Sequence, residues 1–194
     1  MNYYGLPNYE PVKRKAFISF HHNDQAEAEA FVEQWANRQA VFIPKVLGIS
    51  DNDDFIDSTN PEYVMEQIRA KYLQDSTVTI VLIGQCTHSR RYVDWEIKAS
   101  LRRGQDDPNG LIGILLPSCG NRKFHPPLPP RFHQHYSNEQ ARYALYQYSP
   151  TSADELRGWI EDAYNRRTSH EHLITNEQDM MKYNDVCKVC SVTH

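Results

Sequence analysis

The run STVTIVLIG, at residues 76–84, constrains the fold more than any other part of the chain. It is rich in β-branched residues, continuously apolar and closed by Gly84, so it predicts a β-strand. A strand without polar alternation must be covered on both faces, which is what a parallel sheet between two layers of helices provides. GLIGILLP, at residues 110–117, predicts a second strand of this kind.

Strands and helices alternate along the rest of the chain. Three further strands are expected, the last of them at a sheet edge: KAFISF (15–20), AVFIP (40–44) and ARYALYQYS (141–149). Helical periodicity or capping signals mark four segments. The first covers 25–38, and the second follows Asn60-Pro61, with Val64, Met65, Ile68 and Tyr72 facing inward. The third covers 90–103 and ends before Gly104, and the fourth covers 152–167, with Ser152 as N-cap and Glu155 at N3. The pattern predicts an α/β fold, an open parallel sheet with helices on both faces.

Two stretches lack such patterns. Residues 118–140 contain four prolines and no periodicity, so an irregular excursion is expected there. The residues after about 168 are expected to form a poorly specified tail. The domain organisation predicted is therefore a single domain over residues 13–167, an N-terminal extension over 1–12 and a C-terminal tail over 168–194.

Composition argues against several kinds of partner. The net charge of −4 and the pI near 6.1 disfavour a nucleic-acid surface, because the arginine pairs are too short to form a basic stripe. The longest apolar runs are far shorter than the roughly 18 residues of a membrane helix. The N-terminus has no apolar signal core, and four cysteines without a secretory context are typical of reduced thiols. A cytoplasmic protein that binds neither nucleic acid nor membrane is expected.

Ligands of open α/β sheets bind beyond the carboxyl ends of the strands. The helix that carries Glu96 begins directly at one such end, after Gly84. At 100° per residue, Val93 and Ile97 share the core face, while Tyr92 and Glu96 lie together on its flank. Glu96 is thus expected at a border, within reach of a cleft. Spacing alone makes it a weak candidate, because most border glutamates are solvated.

Trp95 is expected to point away from the core face of this helix. It would then be either a partly exposed ring packed on a loop or a contact, for self-association into a homo-oligomer or for another partner.

Three segments carry a resemblance to a known family: FISFHHND, TVTIVLIGQCTHSRRYVDWEIKASL and LIGILLP. Together they resemble the bacterial TIR-like domain of ThsB proteins from Thoeris anti-phage systems, over about residues 13–167. The most specific part is the run from Arg90 to Ile97. NAD-cleaving TIR enzymes carry Trp-x-x-x-Glu at this helix, and Tyr92 with Glu96 is the matching pair. Tyrosine in place of tryptophan keeps an aromatic wall.

The resemblance implies a flavodoxin-like fold and an enzyme that cleaves the nicotinamide–ribose bond of NAD. It further implies that ADP-ribose becomes a cyclic or conjugated second messenger, which activates an anti-phage effector protein after a phage component triggers the enzyme. NAD is then the substrate, no cofactor is needed, and Glu96 is the catalytic carboxylate. One carboxylate suffices, because nicotinamide already leaves from a cationic ring. The alternative is a non-catalytic TIR-like scaffold that signals by self-association.

The other predicted substrate contacts lie on the same rim. Phe20, His21 and Asp24 follow the first strand, and would supply a ring, a donor and a polar anchor; Phe20 could equally belong to the core, and helix capping is the favoured role for Asp24. Arg90 and Arg91 would either bind the pyrophosphate or form a solvated helix start.

Two metal-binding patterns are incomplete, and no metal is assigned. DNDDFID, at residues 51–57, resembles a calcium loop, but Ile56 stands at the sixth position, where such a loop has glycine, so a solvated loop or lid is favoured. A lone Cys-x-x-Cys pair with scattered histidines is half of a zinc signature: Cys187, Cys190, His170, His172 and His194.

Overall fold

The structure is a computed structural model that describes residues 12–46, 60–101, 107–119, 125–137 and 142–193. Five strands are present in these ranges: β1 (Lys15–Ser19), β2 (Ile43–Val46), β3 (Val78–Ile83), β4 (Gly110–Leu115) and β5 (Leu145–Gln147). They form one parallel sheet in the order β2-β1-β3-β4-β5. The predicted α/β fold with an open parallel sheet is confirmed.

The two strands predicted from continuous apolar runs lie at the centre of the sheet. Every residue of β3 and β4 is buried, and the pair is in register from Val78 opposite Gly110 to Ile83 opposite Leu115. A fully buried aliphatic side chain contributes roughly 1.5–3 kcal/mol, so these strands carry much of the stability. β5 is half-buried and pairs with β4 at the edge, as its mixed sequence predicts.

The second strand begins three residues later than predicted. Ala40 has a φ of 51°, in the left-handed region, which an extended strand does not allow. The turn at Ala40 brings the backbone N–H of Val41 to the carbonyl of Trp35, and β2 starts only at Ile43.

Helices cover both faces of the sheet. They are α1 (Gln25–Val32), α2 (Pro61–Ile68), α3 (Arg91–Ser100), α4 (Pro130–Tyr136) and α5 (Ala153–Ser169). Two of them continue as π-helical segments, α1 over Glu33–Arg38 and α2 over Arg69–Leu73. On one face Ile80 and Leu82 pack in the cluster that contains the apolar residues of α1 and α5. On the other, Val81 and Ile83 pack in the cluster that contains α3 and α4 residues. Alternate residues of β3 therefore serve opposite layers, which explains its unbroken apolar sequence.

Gly110, the first residue of β4, sets how closely α5 approaches the sheet. A Cβ atom at this position would overlap the backbone carbonyl of Ala163 on α5. Glycine therefore permits a contact that no other residue allows without a shift of the helix.

The helix starts follow the sequence signals with small changes. Ser152 Oγ accepts from the backbone N–H of Glu155 at 3.2 Å, which confirms the predicted N-cap of α5. The Glu155 carboxylate accepts from the N–H of Thr151 at 2.7 Å and also interacts with the backbone N–H of Ser152. Val64 and Ile68 of α2 face inward as predicted. The side chain of Tyr72 is not among those that the structure describes, and Gly104 and residues 51–57 lie outside the described ranges.

The prediction of an irregular stretch over 118–140 is wrong for its central part, where α4 lies. Pro130 occupies the first turn of this helix, a position where the missing N–H costs nothing. Phe132 and Arg131 are fully buried. The prolines before α4 made the sequence look irregular here, because the stability of this short helix comes from tertiary contacts and not from a local pattern.

The prediction of a poorly specified tail is also wrong, because residues 176–185 are hydrogen-bonded to α3. Backbone carbonyls of this segment accept from Trp95 Nε1 at 2.8 Å and from Lys98 Nζ at 2.7 Å. Asn184 Oδ1 accepts from the N–H of Arg91 at 3.0 Å. α5 itself continues to Ser169, past the predicted boundary at 167. The division of the chain into domain, extension and tail stays a prediction.

A buried ion pair holds α3, α4 and the tail together. Arg131 on α4 is completely buried, and its guanidinium donates to both carboxylate oxygens of Asp94 on α3, at 2.9 and 3.3 Å. Asp94 Oδ2 also accepts from the backbone N–H of Met181 at 3.0 Å.

Among the described residues, no helix is long and apolar enough to cross a membrane.

Candidate functional site

Glu96 lies at the carboxyl end of the sheet, against the last residue of β1. Val93 and Ile97 pack on the apolar cluster of β3 and β4 and thereby orient α3. This places Glu96 Oε2 2.5 Å from Ser19 Oγ, which donates to it. Glu96 is only 4% exposed. The border position expected from helical spacing is therefore more deeply covered than predicted.

Burial controls the protonation of Glu96. It raises the pKa of this carboxyl to about 8, although the hydrogen bond from Ser19 acts in the opposite direction. The Glu96 side chain is therefore mostly protonated at neutral pH. A carboxyl with such a shift beside the strand ends is a candidate for chemistry, because ordinary surface glutamates are ionised at this pH.

A second carboxyl lies on the same rim. Asp24 Oδ2 accepts from Thr87 Oγ1 at 3.5 Å, and Thr87 Oγ1 in turn accepts from the backbone N–H of Gly84 at 2.9 Å. Burial, followed by the nearby charge of Glu27, raises the pKa of Asp24 to about 6. The rim thus joins the ends of β1 and β3, as a parallel sheet requires.

The predicted capping role of Asp24 is wrong. Its side chain makes no cap hydrogen bond to α1. It turns instead toward Gly84, where a Cβ atom would overlap the carboxylate. The missing side chain of Gly84 provides the space that Asp24 occupies, so tertiary packing overrides the local capping preference.

Phe20 and His21 follow Ser19 at the end of β1. Phe20 is half-buried and packs against the apolar cluster between the sheet and α1, which favours the core interpretation for much of its ring. His21 is buried, and its ring contacts that of His22 edge to face at 4.4 Å. Their roles as substrate contacts stay predictions.

The two arginines before α3 have different surroundings. Arg90 is buried, and burial lowers its pKa, so the expected solvated helix start is wrong for this residue. Arg91 is half-buried; its guanidinium donates to the hydroxyl of Tyr92 at 3.3 Å and to the carbonyl of Lys182 at 3.5 Å. The tail thus engages Arg91. These positions do not test whether the two arginines bind the pyrophosphate or whether Tyr92 contacts the substrate. Both roles stay predictions.

Trp95 does not point to solvent, contrary to expectation. It is 5% exposed and packs with Phe17, Val64 and Ile68 between β1 and α2. The edge of its ring contacts Tyr92 at a centroid distance of 5.2 Å. Helical spacing misplaced this indole because both α2 and the tail cover the side of α3 that the sheet leaves open.

The cysteines of the tail meet a partner that sequence spacing does not reveal. In the described part of the chain, the one group that could hold a metal is formed by Cys86, Cys187 and Cys190, whose sulfur atoms all lie within 4.8 Å of one another. The histidines expected beside the Cys-x-x-Cys pair, His170 and His172, do not belong to it. His194 lies outside the described residues.

Sequence reasoning also missed Ser19 and Thr87, which hold the two rim carboxyls. Ser19 is the polar residue in the otherwise apolar FISF of β1, a signal that could have been noticed. Thr87 has no comparable pattern, because its role depends on contact with a distant strand end.

The fold and the strand-end site define a TIR-like α/β domain, and comparison with known proteins identifies its family. Residues 17–121, more than half of the chain, match the family described as "Thoeris protein ThsB, TIR-like domain". A protein of Bacillus cereus (strain MSX-D12), named "Putative cyclic ADP-D-ribose synthase ThsB1", is 26% identical over 152 residues, covering 74% of this chain and 76% of that protein. The chain therefore belongs to the ThsB TIR-like domain family, which confirms the resemblance found in its sequence.

Proposed function

We propose that this protein is an enzyme that cleaves the nicotinamide–ribose bond of NAD and converts the ADP-ribose part into a cyclic or conjugated nucleotide. The observation that carries the proposal is the buried carboxyl of Glu96, hydrogen-bonded to Ser19 at the strand ends. Family membership and the printed name of the Bacillus cereus relative support the same reaction class.

The reaction needs one carboxylate. The bond between the ribose carbon and the nicotinamide nitrogen breaks, and its electron pair leaves with the nitrogen, which neutralises the cationic ring. The ribose carbon develops oxocarbenium character, as in glycoside cleavage. The Glu96 carboxylate would stabilise this positive charge and bind the ribose hydroxyls until a nucleophile attacks the same carbon.

The raised pKa of Glu96 fits a cationic substrate. In the free protein the carboxyl is mostly protonated at neutral pH, since its pKa is about 8. A pyridinium ring close to Glu96 favours the charged form and lowers this pKa, so binding would release the proton to solvent. The carboxylate would then form only when its cationic partner is present.

The burial of Glu96 also supports transfer over hydrolysis. A site that excludes water favours attack by a hydroxyl or ring nitrogen of a bound nucleotide, which gives a cyclic or conjugated product. We propose that this product diffuses to an effector protein of the anti-phage system, with a phage component as trigger. In this proposal Phe20, His21 and Asp24 border the substrate, and Tyr92, Arg90 and Arg91 lie on its α3 side.

The test compares Glu96→Gln with wild type and with Glu66→Gln, which removes an exposed carboxylate from α2. Glu96→Gln should abolish nicotinamide release, measured by chromatography, while Glu66→Gln keeps wild-type turnover. Nucleotides extracted from phage-infected cells should contain, by mass spectrometry, a product that is missing with Glu96→Gln. Full turnover by that variant would refute the catalytic role.

The alternative scaffold function loses the residue that favoured it, because Trp95 is buried under α2 and the tail. It would regain support if infected cells containing the wild-type protein signalled to the effector without any consumption of NAD.

A further inference from the structure

The sulfur atoms of three cysteines converge at the junction between the sheet and the tail. Cys86 belongs to the turn that follows β3, three residues after Ile83. Cys187 and Cys190 arrive from the tail, about a hundred residues later. Cys86 Sγ lies 2.7 Å from Cys187 Sγ and 3.3 Å from Cys190 Sγ, and none of the three cysteines forms a disulfide. The convergence therefore depends on the docked tail.

The Cys187–Cys190 turn has the backbone arrangement of a metal-binding knuckle. The N–H groups of Val189 and Cys190 both donate to Cys187 Sγ, which orients this sulfur. The N–H of Ser191 donates to the carbonyl of Cys187 at 2.8 Å, and the N–H of Cys187 to the carbonyl of Val192 at 2.9 Å. The loop is thus closed on itself with both sulfurs on the side of Cys86.

A left-handed residue completes the turn. Ser191 has a φ of 60°, a conformation that non-glycine residues seldom adopt and that structures retain where surrounding contacts require it. Here it reverses the chain immediately after Cys190. The strain is local to the proposed ligand loop, which is consistent with a loop shaped to present two thiolates.

We propose that Cys86, Cys187 and Cys190 bind one Zn²⁺ ion through three thiolates, with the fourth tetrahedral position open to solvent. Two cysteines separated by two residues are the usual spacing of a pair of zinc-binding thiolates, and zinc sites with three protein ligands keep a fourth position for water or another ligand. A zinc–sulfur distance of about 2.3 Å places tetrahedral sulfurs about 3.8 Å apart, so the Cys86–Cys187 pair would open by about 1 Å on binding. Cys190 is exposed, so the ion can enter from solvent at this side.

The surroundings balance the charge of such a site. Three thiolates and Zn²⁺ carry a net charge of −1, and binding releases the thiol protons to solvent. The buried guanidinium of Arg90 has Cys86 as an electrostatic neighbour. His88 Nε2 accepts from the backbone N–H of Lys188 at 3.1 Å, which fixes the tail beside the turn that contains Cys86. These contacts orient the ligand loops without using the open position.

The metal would anchor the tail over α3. Immediately before the knuckle, the N–H of Asp185 donates to the carbonyl of Ser89 at 2.9 Å, and Asn184 binds the first residue of α3. The same helix carries Glu96. A zinc ion would therefore connect the stability of the tail to the element that positions the candidate catalytic carboxyl.

The test measures metal in the full-length protein, purified under reducing conditions without chelators or metal-affinity chromatography. Inductively coupled plasma mass spectrometry should find about one zinc per chain in wild type. Cys187→Ser should retain less than roughly a tenth of that amount, since loss of a ligand weakens the site strongly. Cys119→Ser is the matched control: this cysteine is buried outside the cluster, and its variant should keep the zinc.

A second measurement does not depend on folding of the variants. Cobalt(II) added to the zinc-free wild-type protein should produce the thiolate-to-metal charge-transfer bands and visible absorption of a tetrahedral sulfur site. Circular dichroism shows whether Cys187→Ser is folded. The proposal is overturned if reduced wild type neither retains zinc nor gives these cobalt bands. It is equally overturned if the native protein contains a Cys86–Cys187 disulfide, seen as an intact mass lower by two hydrogens.

Discussion

The raised pKa of Glu96 makes the stability of the fold depend on pH in a way that one substitution can isolate. In the folded protein the carboxyl holds its proton up to about pH 8, whereas in the unfolded chain it titrates near 4.5. Between these values the unfolded state gives up the proton and the folded state keeps it. Folding free energy from this group is therefore fully present below about pH 4.5 and is lost as pH rises toward about 8.

The magnitude follows from the size of the shift. One pKa unit corresponds to about 1.4 kcal/mol, so this shift lowers the free energy of unfolding by roughly 3–5 kcal/mol at alkaline pH. Glu96→Gln removes the ionisation but keeps a side chain of similar volume that can accept from Ser19. Any cost of the buried amide is the same at all pH values, so the pH-dependent part isolates the carboxyl.

The assay is urea unfolding of both proteins at several pH values between about 5 and about 9. The free energy of unfolding of Glu96→Gln, minus that of wild type, should increase with pH by up to about 1.4 kcal/mol per unit and level off above about pH 8. Glu66→Gln, which removes an exposed carboxylate, should give a nearly flat difference. If the Glu96→Gln and wild-type curves stay parallel throughout, Glu96 is not the buried neutral carboxyl described above.

Three further substitutions test the packing and the site. Asp94→Ala should lower the free energy of unfolding by about 3–5 kcal/mol in urea, because it leaves the completely buried guanidinium of Arg131 without its carboxylate. Gly110→Ala should lower the melting temperature, since the new methyl group overlaps the α5 backbone and overpacking costs about 1–3 kcal/mol. Ser19→Ala should raise the pKa of Glu96 above about 8, because the hydrogen bond that Ser19 donates in the wild type stabilises the ionised form and is absent from the variant. The pH at half-maximal kcat/KM for nicotinamide release should therefore shift upward.

Each of these changes has a matched control. Asp154→Ala breaks an exposed ion pair with Arg157 and should cost less than about 1 kcal/mol, so equal losses for Asp94→Ala would contradict the buried-pair argument. Gly158→Ala adds a methyl group to α5 with nothing within 4 Å, and should stabilise by about 0.5–1 kcal/mol. An unchanged melting temperature for Gly110→Ala would disprove the close contact. Ser169→Ala, at an exposed helix end, should leave the pH profile of activity in place.

Much of the fold could be predicted because its signals are local. The apolar runs of β3 and β4 require two covered faces, and the Ser152 cap marks the start of α5. Helical spacing on Val93 and Ile97 oriented α3 correctly and brought Glu96 to the strand ends. These features depend on neighbours within a few positions along the chain, so a single sequence contains them.

The tertiary structure decided everything that depends on contacts between distant segments. Periodicity cannot foresee that the tail covers α3, which buries Trp95 and engages Asp94. The pKa of Glu96 follows from burial and from Ser19, 77 residues earlier, and the cysteine cluster joins Cys86 to a loop 101 residues later. The sequence by itself therefore determined the sheet, its helices and the position of the carboxyl. Desolvation and side-chain convergence, which exist only once the chain has folded, determined its protonation and the proposed zinc site.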